Sequence, residues 1–401
     1  VTASGDLRGR ALSVALACAA IAALALPAAA SAEPSAQASI VGGRAGSIAE
    51  FPFLSFIEAR ESKKHGFACT GSVVAPRVIL TAAHCADDLD HGGLTPAKDY
   101  ALATGVSGPG EAQPENVFRV TETHVFPGFD PGTLHGDAAI LILDRPTPAP
   151  VLALAGPGDS ALYAGGATVQ LAGWGLTAPT AKEQPERLRT TSMVVETPAV
   201  CKAKTRGYYS PFSPVAQMCT LDLPRMKSGG CFGDSGGPTI GNRPDGSLVE
   251  LGIISTGGEA CSTKRPNVMT RTDFVSTWVS EWIAAVETGA PKPVLDPKTP
   301  LPQMSKEAAT SFAVGTLRDR FGKRFEKADR IAGNCRRAGR TRFKCEIAWI
   351  AGRFVYGGTV SPFYVRRDDA TVWDSHFKIR FGVLQCLEDR SRHCPIQSKS
   401  G

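Results

Sequence analysis

From Phe53 to Thr270 the apolar residues come in short runs separated by turn residues. Phe53 to Ile57, Gly71 to Val74, Val78 to Thr81, Val117 to Val120 and Ala138 to Leu143 form a first series. Thr168 to Ala172, Met193 to Glu196, Met218 to Leu221, Pro238 to Ile240, Leu248 to Ser255 and Asn267 to Thr270 form a second, and the proline-dense stretch Pro146 to Pro150 separates them. Each run is strand length, and the Gly/Pro/Asp spacing suits an all-β barrel or sandwich. A hydrophobic content of 43% beside 20% charged residues is ordinary for a chain that buries a real core. A helix closes the series: Val275, Trp278, Val279, Trp282, Ile283 and Val286 recur on one stripe after Asp273, a candidate cap. That stripe is expected to pack on the second series.

The two ends of the chain differ from this middle. Arg8 and Arg10 precede an Ala/Leu-rich run from Ala11 to Leu26, and Ala30-Ser31-Ala32 offers small residues to a signal peptidase. Residues 1–32 therefore read as a secretory signal and 33–39 as a short propeptide, which makes the protein extracellular. No later apolar run is long enough to span a bilayer. Removal of Cys18 leaves ten of eleven cysteines, an even number that suggests five disulfides in an exported chain. No metal-ligand spacing occurs among them, so no metal or cofactor is expected. Residues 288–303 are a proline-rich linker. Beyond it, residues 304–401 read as a small basic α+β module, helical in pattern from Ser305 to Ile331, with strands at Val355 to Val360, Phe363 to Val365 and Phe377 to Leu384. Its cysteines Cys335, Cys345, Cys386 and Cys394 allow three pairings. The module holds 20 Lys and Arg against 10 Asp and Glu, whereas the rest of the chain holds 24 against 28. Basic clusters at Arg318 to Arg330 and Arg336 to Lys344 point to an anionic extracellular polymer as partner, with nucleic acid the weaker alternative. The prolines are expected to hold the module away from the preceding domain.

Three stretches carry chemistry. Gly233-Asp234-Ser235-Gly236-Gly237-Pro238 sets a serine among glycines, where backbone can approach a substrate closely. A serine hydroxyl needs a base to take its proton, and His84, in Thr81-Ala82-Ala83-His84-Cys85, is the candidate. The imidazole needs an orienting acid, and Asp137 heads an otherwise apolar strand where an unpaired carboxylate would be costly. Asp130 and Asp144 are rivals, each next to a proline. With Ile40-Val41-Gly42-Gly43, these motifs resemble the chymotrypsin/trypsin-like serine endopeptidases from Ile40 to about Val286.

The resemblance implies an all-β two-barrel (chymotrypsin-like) protease domain over 40–287 with a C-terminal helix and a site between the barrels, and a polypeptide as substrate. It implies His84, Asp137 and Ser235 as the catalytic triad, Gly233 and Ser235 backbone N–H groups as the oxyanion hole, and Ser255 as support for the aspartate. It also implies that a cut before Ile40 frees an amine to pair with Asp234, although Ser39 stands where many relatives have Arg or Lys. Cys69, Cys85, Cys201, Cys219, Cys231 and Cys261 are assigned to disulfides, with Cys85 placed to bridge Cys69. In the specificity pocket, Gly229 occupies the place of the aspartate found in trypsin-like members, which implies cleavage after uncharged residues. Gly230, Gly257 and Phe232 line it, and Asn267 replaces a usual glycine; Glu259 is an acid that could approach from the side. The protein is read as a monomer. The rival reading is a non-catalytic homologue kept as a binding protein.

Overall fold

The computed structural model describes residues 40–60, 66–86, 93–181, 183–206, 208, 211–294, 298–367, 370–383 and 396–401. The expected signal peptide and propeptide, with Cys18, Cys386 and Cys394, lie outside the described residues.

The two apolar series become two antiparallel sheets. The first runs Val117–Phe118, Tyr100–Thr104, Leu54–Arg60, Gly66–Ala75, Val78–Thr81, Ala139–Leu143, Val120–Val125. Val78–Thr81 and Ala139–Leu143 are buried at every position, as their unbroken apolar sequences require. The second sheet pairs Thr168–Gly173, Pro238–Asn242, Leu248–Thr256, Asn267–Arg271, Gln217–Leu221 and Arg189–Val195 in that order. Arg189–Val195 then pairs back onto Thr168–Gly173, which closes a six-strand barrel. The short strand Arg44–Ala45 adds antiparallel to Arg189–Val195, and Ala153–Leu154 adds parallel to Leu248–Thr256.

The helix Thr272–Thr288 buries Val275, Trp278, Val279 and Trp282 in the apolar cluster of the first barrel, among Val73, Val78 and Ile79. Trp282 stacks on His124 at 3.6 Å, and Trp278 meets Phe126 edge-on at 5.6 Å. The second barrel, the expected partner, holds the other side of the helix: Ile253 belongs to the same cluster, and Thr272 Oγ1 donates to the Glu250 carbonyl. A helical stripe fixes that a face is buried but not what buries it. Asp273 is likewise not the cap: it lies within the first turn and pairs with Arg271 at 2.6 Å, while Gly289 ends the helix in the left-handed region.

The C-terminal region is a five-stranded antiparallel meander, Arg330–Gly339, Arg342–Ala351, Phe354–Arg367, Ala370–Val383 and Gln397–Ser400, with the helix Lys306–Phe321 on one face. The helical reading of Ser305 to Ile331 was too long. Gly322 interrupts the helix, a short turn Lys323–Glu326 follows, and a strand begins at Arg330. Phe312 stacks on Trp373 at 4.8 Å, and Phe321 meets Trp349 at 5.2 Å. Cys335 and Cys345 are directly opposite on neighbouring strands and are bonded to each other.

This region is packed on the two-barrel half rather than held away from it. Tyr364 Oη donates to the buried Asp130 carboxylate at 2.6 Å. Val365, Ala370 and Val372 join Ala83, Ala86, Val125, Phe129 and Ala139 in one apolar cluster. The linker is also anchored, by Lys292 on Glu122 at 2.7 Å and by the Arg366 guanidinium on the Thr299 carbonyl at 3.2 Å. Proline stiffness sets how a connection runs, and the buried apolar faces at its two ends decide where it leads.

Candidate active site

Two barrels meet along a seam, and the residues singled out by sequence converge there. His84 sits in the single turn Ala83–Cys85 that follows Val78–Thr81, and a Cys69–Cys85 disulfide fastens this turn to the neighbouring strand. Thr81 pairs with Ala139, so the residue two before Ala139 arrives beside the histidine. That residue is Asp137, with no exposed surface. Its Oδ2 lies 2.7 Å from His84 Nδ1, its Oδ1 accepts the His84 backbone N–H at 2.9 Å, and Ser255 Oγ donates to Oδ2 at 2.5 Å. Burial alone would raise the Asp137 pKa. The histidine charge and the hydrogen bonds from His84 and Ser255 outweigh it and hold the carboxyl below its ordinary value. An ionised Asp137 fixes the proton on Nδ1 and makes Nε2 the basic nitrogen of the ring.

The serine turn is clamped from both barrels. Thr70 N–H donates to the Ser235 carbonyl at 2.8 Å, Thr70 Oγ1 donates to the Gly233 carbonyl at 2.9 Å, and Gly236 N–H donates to the Ile254 carbonyl at 2.7 Å. Gly233 and Gly236 have φ of +100° and +79°, and a β-carbon on Gly236 would collide with Thr81 Oγ1 and the Thr70 carbonyl. Only glycine fits that approach. Ser235 is thereby placed beside the segment leading to His84 and the one carrying Ser255. Among the described residues, the backbone N–H groups of Gly233 and Ser235 donate to no protein acceptor.

Asp234 is fully buried, and its carboxylate accepts from the N–H groups of Cys231 at 2.9 Å and Gly175 at 2.8 Å. Burial exceeds what these two donors offset and pushes its pKa up to about 7. Ile40 is also fully buried, with φ of +50°, and the adjoining Val41 bridges to Gly229. In the expected pocket, the Asn267 side chain lies between the glycine walls. Its Oδ1 accepts the Gly230 N–H at 3.0 Å, and a β-carbon on Gly257 would fall 2.7 Å from its Nδ2. Phe232 is 62% exposed, the arrangement expected of a mouth residue rather than a core one. Glu259 is exposed in the turn Glu259–Cys261.

The rival acids have other partners, Asp130 with Tyr364 and Asp144 with Arg119 at 3.1 Å. Cys69–Cys85, Cys201–Cys219 and Cys231–Cys261 are disulfides. Cys69, His84 and Cys85 lie close enough to suggest a metal site, but both sulfurs are already bonded to each other. Sequence reading missed Thr70, the double clamp on the serine turn. It also missed Glu250, a buried acid in contact with Ser72 Oγ at 2.5 Å across the barrel seam. Glu250 could have been flagged as an acid inside an apolar strand, the signal that found Asp137; Thr70 had none.

Comparison with known proteins agrees with this architecture. The chain is 27% identical over 265 residues to Transmembrane protease serine 9 of Rattus norvegicus, covering 66% of this chain but only 23% of that protein. It is 29% identical over 248 residues to Trypsin alpha-4 of Lucilia cuprina, covering 61% of this chain and 88% of that one. It is 28% identical over 256 residues to Trypsin-like protease of Streptomyces glaucescens, covering 63% and 84%. Residues 40–279 match the Trypsin family model, which together with the two antiparallel barrels makes this chain a member of the trypsin family of serine proteases.

Proposed function

We propose that this chain is a secreted serine endopeptidase in which Ser235 attacks the scissile carbonyl and is transiently acylated. His84 Nε2 takes the Ser235 proton and returns it to the leaving amine, while Asp137 holds the ring and stabilises the imidazolium. The Gly233 and Ser235 N–H groups receive the oxyanion, where preorganised donors are worth most. Water then repeats the sequence to release the acid. The observation that carries this reading is the Ser255–Asp137–His84 hydrogen-bonded chain beside a serine turn clamped by Thr70. Ser235→Ala should lower kcat by roughly 10⁴–10⁶-fold and abolish labelling by a fluorophosphonate. Retained activity, or a wild-type protein that never labels even after a cut before Ile40, would overturn the proposal; the latter would favour a binding protein.

Three finer readings belong with it. Gly229 offers no charge to a buried guanidinium, so cleavage follows uncharged residues, and the Asn267 amide between the pocket walls favours small ones. A cut between Ser39 and Ile40 activates the enzyme, the new amine pairing with Asp234. The basic C-terminal region holds the enzyme on an anionic extracellular polymer. Among the described residues no helix is long and apolar enough to cross a membrane.

A further inference from the structure

Strand alternation gives the C-terminal sheet two unlike faces. One turns Phe343, Ile347, Trp349, Tyr356 and Phe377 onto the helix Lys306–Phe321. The other has a floor of small side chains, Gly357, Thr359 and Ser361, on the central strand. On one side of this floor stand Arg336 and Lys344, a registered cross-strand pair. On the other stand His376, Lys378 and Arg380, registered with Ser361, Thr359 and Gly357 in turn. The two ridges lie two strands apart, about 10 Å at the usual strand spacing. Arg336, Lys344, Lys378 and Arg380 are exposed, and none has an acidic partner among the described residues. Two acids share the face: Glu346, opposite Thr359, and Asp374, already paired with Arg367 at 2.5 Å.

We propose that this face is a groove for a single extended chain of an acidic polysaccharide, with anionic groups on the two basic ridges and sugar hydroxyls on Thr359 and Ser361. The proposal rests on the reading that the region tethers the enzyme and names the surface that does so. Charge complementarity selects a polyanion. Among the described residues this face has no open aromatic ring, which disfavours single-stranded nucleic acid, whose bases stack on such rings, and the hydroxyl-bearing floor of Thr359 and Ser361 suits a glycan. Phe363, at the groove's end, is covered by the Arg342 guanidinium 5.1 Å from its centroid and flanked by the His376 ring at 5.0 Å. Beyond Phe363 the floor strand reaches Val365, which shares its apolar cluster with Ala83 and Ala86 on either side of His84. A polymer in the groove is therefore led toward the protease body, and protein attached to it is brought to the enzyme.

The test is co-electrophoresis of the full chain with polygalacturonate in gels of rising salt, with a 20-nucleotide oligo-dT for comparison. The wild type should be retarded by polygalacturonate, and the effect should fade steeply with salt. Lys344→Gln with Arg380→Gln should weaken retardation at least tenfold. Thr359→Tyr, which fills the floor without changing charge, should do nearly the same. Lys306→Gln with Lys323→Gln, an equal charge loss on the helix side, should change it less than threefold. Circular dichroism of each variant reports whether it is folded. Wild-type retardation that survives the folded groove variants would overturn the groove and leave the tether elsewhere. No retardation of the wild type would overturn the tether with it, and tighter binding of oligo-dT would overturn the choice of partner.

Discussion

Cleavage before Ile40 should change how stability depends on pH, and the size of the change follows from Asp234. In the uncut chain full burial pushes this carboxyl from 3.8 up to about 7, since among the described residues it has two N–H donors and no cation. An acid whose pKa rises on folding binds its proton more tightly in the folded state. Its folded form is therefore unpenalised below about pH 4 and loses stability as pH climbs to about 7. About three units at 1.36 kcal/mol each make that loss about 4 kcal/mol. An Ile40 amine against Asp234 would remove it, since the ionised carboxylate would then be paired. Glu250, pushed up to about 8 by burial despite the Ser72 hydroxyl, adds a similar slope to both forms and cancels in their difference. The assay uses Ser235→Ala protein to prevent self-digestion, with Ser39→Lys preceded by four inserted aspartates so that enterokinase can make the cut. Cut and uncut forms should melt alike at pH 4 and differ by roughly 10 °C at pH 7.5, on the usual conversion for domains of this size. Melting curves that coincide from pH 4 to 8 would refute the pairing.

Other expectations follow from single contacts. Asn267→Gly opens the space between Gly230 and Gly257, so kcat/KM for peptides with Phe or Leu at the cleaved position should rise about tenfold or more relative to Ala; an unchanged profile places Asn267 outside the pocket. Tyr364→Phe removes a donor from the buried Asp130 and should cost about 1–3 kcal/mol in urea unfolding, with Phe312 and its neighbours still packed. A chain ended after Glu287 uncovers Ala83, Ala86 and Phe129, and should lose thermal stability and peptidase activity together; full activity and an unchanged melting point would mean the contact is idle. Glu250→Gln should leave stability unchanged at pH 4 and raise it by as much as about 5 kcal/mol above pH 8, read by denaturant titration at the two pH values.

Where the sequence was informative, one local pattern was enough to set the structure. Unbroken apolar runs such as Val78–Thr81 can only be buried strands in this context, and an aspartate at the head of Ala138 to Leu143 needs a partner wherever it goes. Where it was uninformative, the outcome depended on remote surfaces. The Trp278 and Trp282 stripe could not show that the first barrel shares the helix with the second. The Tyr364–Asp130 contact joins residues 234 positions apart and leaves no local trace. Arg330–Gly339 was invisible as a strand because it is an edge exposed at nearly every position, with only Cys335 buried. Arg342–Ala351 was different. Its buried Phe343, Cys345, Ile347 and Trp349 alternate with exposed Arg342, Lys344, Glu346 and Ala348, a legible strand pattern. The pKa of Asp234 was beyond reach for another reason, since burial of that side chain is a property of the assembled seam.

The apolar cluster shared by Ala83, Ala86, Val365 and Val372 also orders events in time. Ribosomes make the chain from its first residue, so the strands around His84 exist well before Val365 and Val372 have been added. Until that last quarter is made and folded, the underside of the histidine turn faces water or whatever else is sticky nearby. The half-made protease is therefore the aggregation-prone species, and the finished tail is its own late-arriving cover. Attempts to produce the protein in quantity should treat the tail as part of the two-barrel body, supplied in the same chain and never trimmed for convenience.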